Sequence, residues 1–195
     1  MGKGRLEAFS DGVIAIIITI MVLEMHAPAG HDLQSLIAIG PVFGQYVISF
    51  VYVGIYWSNH HHMLHAVKSI NGAVLWANLH LLFWLSMVPF ASAWMGENHT
   101  HNTWPVAFYG FVLLMNSIAY FILAQTLVRH EGKHSALAEA LGKDKKGKIS
   151  TLIYICAIPL CWVNPLISFG LYILVALIWL VPDKRIEQKI LHEHK

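Results

Sequence analysis

The apolar residues of this 195-residue chain lie in long runs that short polar stretches separate. A helix needs about 20 mostly apolar residues to cross a bilayer. Only 12% of the residues are charged, about half the usual fraction of a soluble domain. This composition excludes a nucleic-acid-binding chain and argues against a soluble enzyme. The runs predict an all-α integral membrane protein, one domain over residues 1–195, with spans at about 5–25, 36–58, 72–95, 105–128, 149–164 and 166–182.

The basic residues fall only on alternate linkers. All 13 Lys and Arg residues lie at the two termini, after the second span or after the fourth span. The linkers after the first, third and fifth spans contain none. Because basic residues concentrate on the cytoplasmic side of membrane proteins, we expect an even number of spans and both termini in the cytoplasm. The last two spans are short, and a re-entrant hairpin there would leave the same parity.

The first span begins with polar residues that a lipid-facing helix does not need. Its apolar part, residues 13–23, covers about 16 Å, which is half of the hydrocarbon core. Ser10 and Asp11 must therefore lie in or near the membrane, where an unpartnered carboxylate costs at least ~2.5 kcal/mol. Two interpretations remain open. The helix start is interfacial, with Arg5 reaching water, or it belongs to a buried polar network that fastens the span to its neighbours.

Candidate partners for such a network lie at the end of the second span and the start of the third. They lie in the segment 56–65, which includes His60 and His61, and at Asn71, Trp76 and Asn78. His61 and His65 are one helical turn apart, a spacing that suits Zn²⁺, but no Cys lies nearby. Hydrogen-bonded or exposed histidines are the commoner outcome, and we predict neither a metal site nor a cofactor.

One face of the first span combines aliphatic side chains with a hydroxyl. At 100° per residue, a narrow arc holds Gly12, Ile16, Thr19, Ile20 and Leu23. Several copies of this helix around a pore would form a dry aliphatic constriction. Thr19 would offer oxygen atoms to a cation, and Glu24 would raise the cation concentration at the mouth. Taken alone, such a stripe is more often a set of ordinary residues that face lipid or pack against helices.

The segment Arg5-x-x-x-Phe9-Ser10-Asp11, followed by an apolar helix that ends in Leu23-Glu24, resembles the signature of the transmembrane protein 175 family of potassium channels. The likeness extends to Trp57, His60 and His61 at the end of the second span, to Trp76 and Asn78, and to Pro89-Phe90. His62 departs from the pattern, because the family more often has Arg there.

The resemblance implies a homotetramer of six-span subunits in which the first helix of each subunit lines a central pore. It implies a pore gate at Ile16, Ile20 and Leu23, with Thr19 as a polar layer and Glu24 at the mouth. It assigns a structural rather than an ion-contacting role to Arg5, Phe9, Ser10, Asp11, His60, His61, Trp76 and Asn78. We therefore expect a bacterial cell-membrane channel, not an enzyme, that leaks K⁺ in preference to Na⁺. Its expected partners are K⁺, other monovalent cations and membrane lipid, and no nucleic acid.

Two other function classes remain open. A proton-coupled transporter or proton-conducting channel would use Asp11 and the cluster from His60 to His65 as a relay. An intramembrane metal-dependent enzyme would be built on the same histidines. Neither class explains why a Thr lies within an aliphatic stripe that ends in Glu24.

Overall fold

The regular secondary structure of the described residues is entirely α-helical in the computed structural model. The structure describes residues 2–97, 101–132, 135, 137–138, 142 and 144–180. The helices are α1 (Lys3–Leu23), α2 (Leu33–Ala38), α3 (Gly40–His65), α4 (Gly72–Ser86), α5 (Val88–Glu97), α6 (Thr103–Glu131), α7 (Lys145–Leu160) and α8 (Pro165–Leu180).

Each predicted span overlaps one or two of these helices, and the bounds differ at several ends. The third predicted span is divided between α4 and α5, which meet at Met87. Pro89 explains the break, because it has no N–H to donate to the carbonyl of Leu85 and its ring clashes with that carbonyl. Helix α3 runs on to His65, so the whole histidine cluster is helical. The end of the sixth predicted span, residues 181–182, lies outside the described residues.

Three stretches are long and apolar enough to cross a membrane by themselves. They are α1, the pair α4–α5 (Gly72–Glu97) and α6, while α8 is a shorter apolar helix. Helix α3 has 26 residues, but its buried residues include Gln45, Ser49 and His60, which lower its hydropathy. The chain is thus a helical protein with several membrane-spanning segments, and the crossing of all six predicted spans stays a prediction.

Helix α6 occupies the middle of the bundle. It packs against α4 and α5 on one side and against α7 and α8 on the other. Helix α1 packs mainly against α3, α4 and α5, so it lies at one edge of the subunit. The buried core is continuous and draws apolar side chains from α1 and α3 through α8.

Hydroxyl groups link the helices inside the bundle. The Ser49 hydroxyl of α3 donates to the Ser92 hydroxyl of α5 at 2.8 Å, and it lies 3.0 Å from the Tyr109 hydroxyl of α6. The Tyr52 hydroxyl donates to the carbonyl of Tyr172 in α8. Such interhelical hydrogen bonds fix how helices are rotated against one another, which apolar contacts in lipid do less well.

Candidate pore helix and its polar anchor

Helix α1 has a buried face that attaches it to the subunit. The residues on this face follow one another at intervals of three or four, as one side of a helix requires. They are Leu6, Ser10, Ile14, Ile17 and Met21, each at most 4% exposed. The attachment therefore runs along the whole length of the helix.

The opposite face of α1 carries the stripe predicted from the sequence. Ile16 is 58% exposed, Ile20 39% and Leu23 77%. Gly12 and Thr19 are exposed as well, and Gly12 has no atom of another element within 4 Å of where a Cβ would stand. The stripe thus lies on the side of α1 that the described subunit leaves uncovered.

Thr19 presents its oxygen rather than its proton to the exterior. Its hydroxyl donates to the carbonyl of Ile16 at 2.9 Å within the same helix. Because the proton is engaged, the exposed lone pairs can only accept, and an acceptor oxygen is what a monovalent cation requires.

A groove of about 380 Å³ runs beside the stripe between α1 and the α4–α5 break. Ile16, Ile20 and Glu24 form one side of it, and Pro89 and Phe90 form the other. Glu24 also borders a second depression together with Glu97. The sequence analysis named Pro89-Phe90 as part of the resemblance but did not predict that it lies beside α1. It also did not predict that Glu97 lies near Glu24.

Three buried polar side chains join α1, α3 and α4. The Asn78 side-chain amide donates to the Ser10 hydroxyl oxygen at 2.9 Å, and its carbonyl oxygen lies 2.7 Å from His60 Nε2. Ser10 donates in turn to the carbonyl of Leu6 at 2.9 Å. All three side chains are fully buried. Since the amide oxygen of Asn78 can only accept, His60 carries its proton on Nε2.

A second set of contacts fastens α1 to α3 at the surface. The Trp57 indole N–H donates to Asp11 Oδ1 at 3.0 Å. His61 Nδ1 lies 3.5 Å from Glu7 Oε1, and the His61 ring stacks on the ring of Trp57. The negative charge of Asp11 suggests a Lys or Arg partner. Its partner in the structure is instead the indole N–H of Trp57.

The structure thus brings together five of the eight residues assigned to the polar network. Ser10, Asn78 and His60 form the buried group, and Asp11 and His61 lie in the surface set. The other three, Arg5, Phe9 and Trp76, are exposed, and no hydrogen bond or ion pair involves their side chains within the described subunit.

Two contributors to the anchor, Trp57 and Glu7, had no assigned part in it. The signal for Trp57 was its position one helical turn before His61, which places both side chains on one face of α3. The signal for Glu7 was its position one turn before Asp11 on α1.

The histidine cluster does not converge on a metal position. The rings of His61 and His65 stack nearly parallel, at 13° and with centroids 5.8 Å apart. Within the part of the chain that the structure describes, no group of three or more His, Cys, Asp or Glu side chains is placed to hold a metal ion.

Sequence comparison relates the chain to known channels. The family model described as endosomal/lysosomal potassium channel TMEM175 matches residues 5–89. A potassium channel of Chryseobacterium sp. is 55% identical over 97% of this chain and 98% of that protein. The human endosomal/lysosomal proton channel TMEM175 is 36% identical over 43% of this chain and 19% of its own length.

Structural comparison gives the same relationship over nearly the whole subunit. The crystal structure of a lysosomal potassium-selective channel TMEM175 homolog from Chamaesiphon minutus superposes with a TM-score of 0.80 and 28% identity. The match covers 93% of this chain and 97% of that chain.

Proposed function

This chain belongs to the TMEM175 family of potassium channels, and on that premise we propose that copies of α1 line a pore through which K⁺ leaks in preference to Na⁺. As a member of this family the protein is an ion channel and not an enzyme. The proposal includes a tetramer in the bacterial cell membrane, six crossings per subunit and both termini in the cytoplasm.

The observation that carries the proposal is the uncovered face of α1. A helix face that met only lipid would have no use for Thr19, for Gly12 or for a carboxylate at its end. Small residues and hydroxyls are instead typical of faces that meet other helices or water in membranes. The uncovered stripe suits a position around a shared axis.

The spacing along α1 suggests how the pore closes. Ile16 and Ile20 are about 6 Å apart along the helix axis, and Leu23 follows about 4.5 Å further on. Rings of these side chains form a stack that excludes water and therefore ions. Conduction requires the rings to retract or rotate until the constriction is wet.

Within this stack Thr19 supplies the oxygen ligands. A cation that has shed part of its hydration shell among aliphatic rings meets the exposed Thr19 oxygen atoms of the copies. K⁺ holds its water less strongly than Na⁺, so partial dehydration costs K⁺ less. This argument gives a preference for K⁺ without a loop of carbonyl oxygens.

The exposed motif residues have a place in the same proposal. Arg5, Phe9 and Trp76 lie at the start of α1 or in the first turns of α4, on the side that we place in the cytoplasm. An exposed Trp and Arg at that level suit contact with a neighbouring subunit or with lipid headgroups. Asp11, which already accepts from Trp57, stays a positioning residue in this scheme.

The proposal is tested by K⁺ and Na⁺ flux into liposomes that contain the purified protein. We expect Leu23→Ala and Ile16→Asn to raise flux and to weaken discrimination between K⁺ and Na⁺, because each widens or wets the constriction. Leu177→Ala is the matched control, since Leu177 is 55% exposed on α8, away from α1. Unchanged flux and selectivity in both pore variants would refute the assignment of α1 to the pore.

Proton conduction is a second candidate function, favoured by the proton-channel name of the vertebrate relatives and by His60, whose Nδ1 is buried without a hydrogen-bond partner among the described residues. The same liposomes distinguish it under a pH gradient without a K⁺ gradient. A proton path through the anchor predicts a current that Asp11→Asn abolishes while the oligomer stays intact. Saturable flux of a solute would instead indicate a transporter.

A further inference from the structure

A crevice of about 330 Å³ opens on the far side of the bundle from α1. It lies between α3, α6 and α7 and is bordered by Asn59, near the end of α3, and by residues of the first turns of α7. The positively charged linker before α7 is on the predicted cytoplasmic side. The crevice therefore lies at the level of the cytoplasmic leaflet, and its volume is in the range of ligand-binding pockets.

The wall of the crevice is apolar and open to the outside of the described chain. Phe121 of α6 and Leu152 and Ile155 of α7 line it, and each is between 44% and 61% exposed. From Gly147 to Ile155 the wall runs for about 12 Å along α7. A groove of this length and composition accommodates part of one acyl chain.

Two tyrosines at the back of the crevice have hydroxyl groups without a protein partner. Tyr120 is only 9% exposed and lines the crevice, and its hydroxyl makes no hydrogen bond within the described chain. Tyr56 also lines the crevice, and its hydroxyl likewise makes no hydrogen bond within the described chain. Its ring packs edge-on against the ring of Tyr120, with 6.0 Å between the ring centroids. Neither hydroxyl oxygen is among the fully buried atoms that lack a partner, so both open into the crevice, where an occupant can bond to them. The back wall thus offers hydrogen bonds to an occupant.

The mouth of the crevice carries one charge of each sign. Lys148 and Asp144 both line it, and no ion pair of the described chain joins them. Asp144 accepts a hydrogen bond from the Gly147 N–H at 3.0 Å, which holds its carboxylate at the start of α7. The mouth therefore matches a headgroup that has both a negative and a positive group.

We propose that this crevice binds one phospholipid with an amine-bearing, zwitterionic headgroup from the cytoplasmic leaflet. Its phosphate lies at Lys148, whose ammonium group supplies the charge-assisted hydrogen bond that a phosphate accepts. Its ammonium group lies at Asp144. One acyl chain follows Phe121, Leu152 and Ile155, and the Tyr120 hydroxyl donates to an ester carbonyl oxygen.

Native mass spectrometry of the purified channel tests the proposal, with phosphatidylethanolamine and phosphatidylglycerol as probes. We expect phosphatidylethanolamine to bind with the higher affinity. Lys148→Gln should weaken its binding about tenfold, as the loss of one charge-assisted hydrogen bond predicts. Lys145→Gln is the matched control: it removes the same charge three residues earlier, outside the crevice.

Two further variants separate the crevice from the general surface. Leu152→Trp narrows the crevice and should reduce binding, whereas Ile149→Trp places the same side chain on an exposed position of α7 outside it. Tyr120→Phe keeps the packing and should also weaken binding. Equal losses in both Lys variants, equal binding of the two lipids, or no effect of Leu152→Trp and Tyr120→Phe together would each overturn the proposal.

Discussion

At the scale of single residues, Asn78 connects the anchor of the proposed pore helix. Its side-chain N–H donates to the Ser10 hydroxyl, and its side-chain oxygen accepts from His60. All three side chains are fully buried. An asparagine is suited to this position because it has a donor and an acceptor in one planar group. Removing it leaves the His60 ring without its partner and leaves Ser10 with only the bond that it donates to Leu6.

We predict that Asn78→Leu destabilises the subunit by about 1–3 kcal/mol, because the His60 ring loses the only side-chain hydrogen bond that it makes among the described residues. Thermal unfolding of the detergent-solubilised protein measures the effect. The double variant His60→Leu with Asn78→Leu should recover part of the loss, since replacing both partners by apolar groups removes the unsatisfied atom. A double variant at least as unstable as the sum of the two single variants would contradict this view.

At the scale of elements, α6 and α8 meet closely at Gly110. Gly110 of α6 faces the ring of Tyr172 in α8, and a Cβ there would come within 1.9 Å of the tyrosine oxygen. Tyr172 is fully buried and packs between Tyr109 and Tyr154, so its ring has little room to move. The small residue is what allows these helices to touch.

We therefore expect Gly110→Ala to cost about 1–3 kcal/mol through overpacking. Gly170→Ala is the control, because it lies in α8 with open space around its Cβ position. Gly170→Ala should leave the free energy of unfolding unchanged or raise it by up to ~1 kcal/mol, since glycine is the poorer helix former. Chemical denaturation of both variants compares them directly, and an equal response would show that the α6–α8 contact is loose.

The elements were largely predictable from the sequence, and the contacts between them were not. Long apolar runs fix where the helices lie, but a run that is apolar all round does not show which face is covered. The stripe of Ile16, Ile20 and Leu23 was therefore only one of several possible outer faces of α1. The partner of Asp11 was open for the same reason, because several donors lie at the same membrane level and the rotation of α3 selects Trp57.

At the scale of the whole molecule, the two proposals place the pore and the lipid site on different sides of the chain. Helix α1 lies at one edge with its stripe uncovered, and the lipid crevice opens at α6 and α7 on the other side. In the proposed tetramer the first side faces the axis and the second faces the bilayer. Lipid binding and ion conduction would then occur at opposite sides of each subunit.

The tetramer predicts a particular response at Gly12. This residue is exposed on the stripe and has open space around its Cβ position, so Gly12→Trp should leave the isolated subunit folded. Around a shared axis, however, the indole rings would collide. We expect wild type to have the mass of four subunits in native mass spectrometry and Gly12→Trp to lose either assembly or flux. A Gly12→Trp tetramer with normal flux would place α1 away from the axis.

The polarity of α3 has a consequence for how the chain enters the membrane. Gln45 and Ser49 are tolerated in the finished bundle because they face neighbouring helices, including the Ser92 hydroxyl of α5. When α3 leaves the ribosome, α5 has not yet been synthesised, and each uncompensated polar side chain opposes partitioning into lipid. Helix α1 is long and apolar enough to cross a membrane by itself, whereas α3 is not among the helices that meet this condition. We therefore expect the insertion of α3 to depend on later helices, so that biogenesis is cooperative between segments.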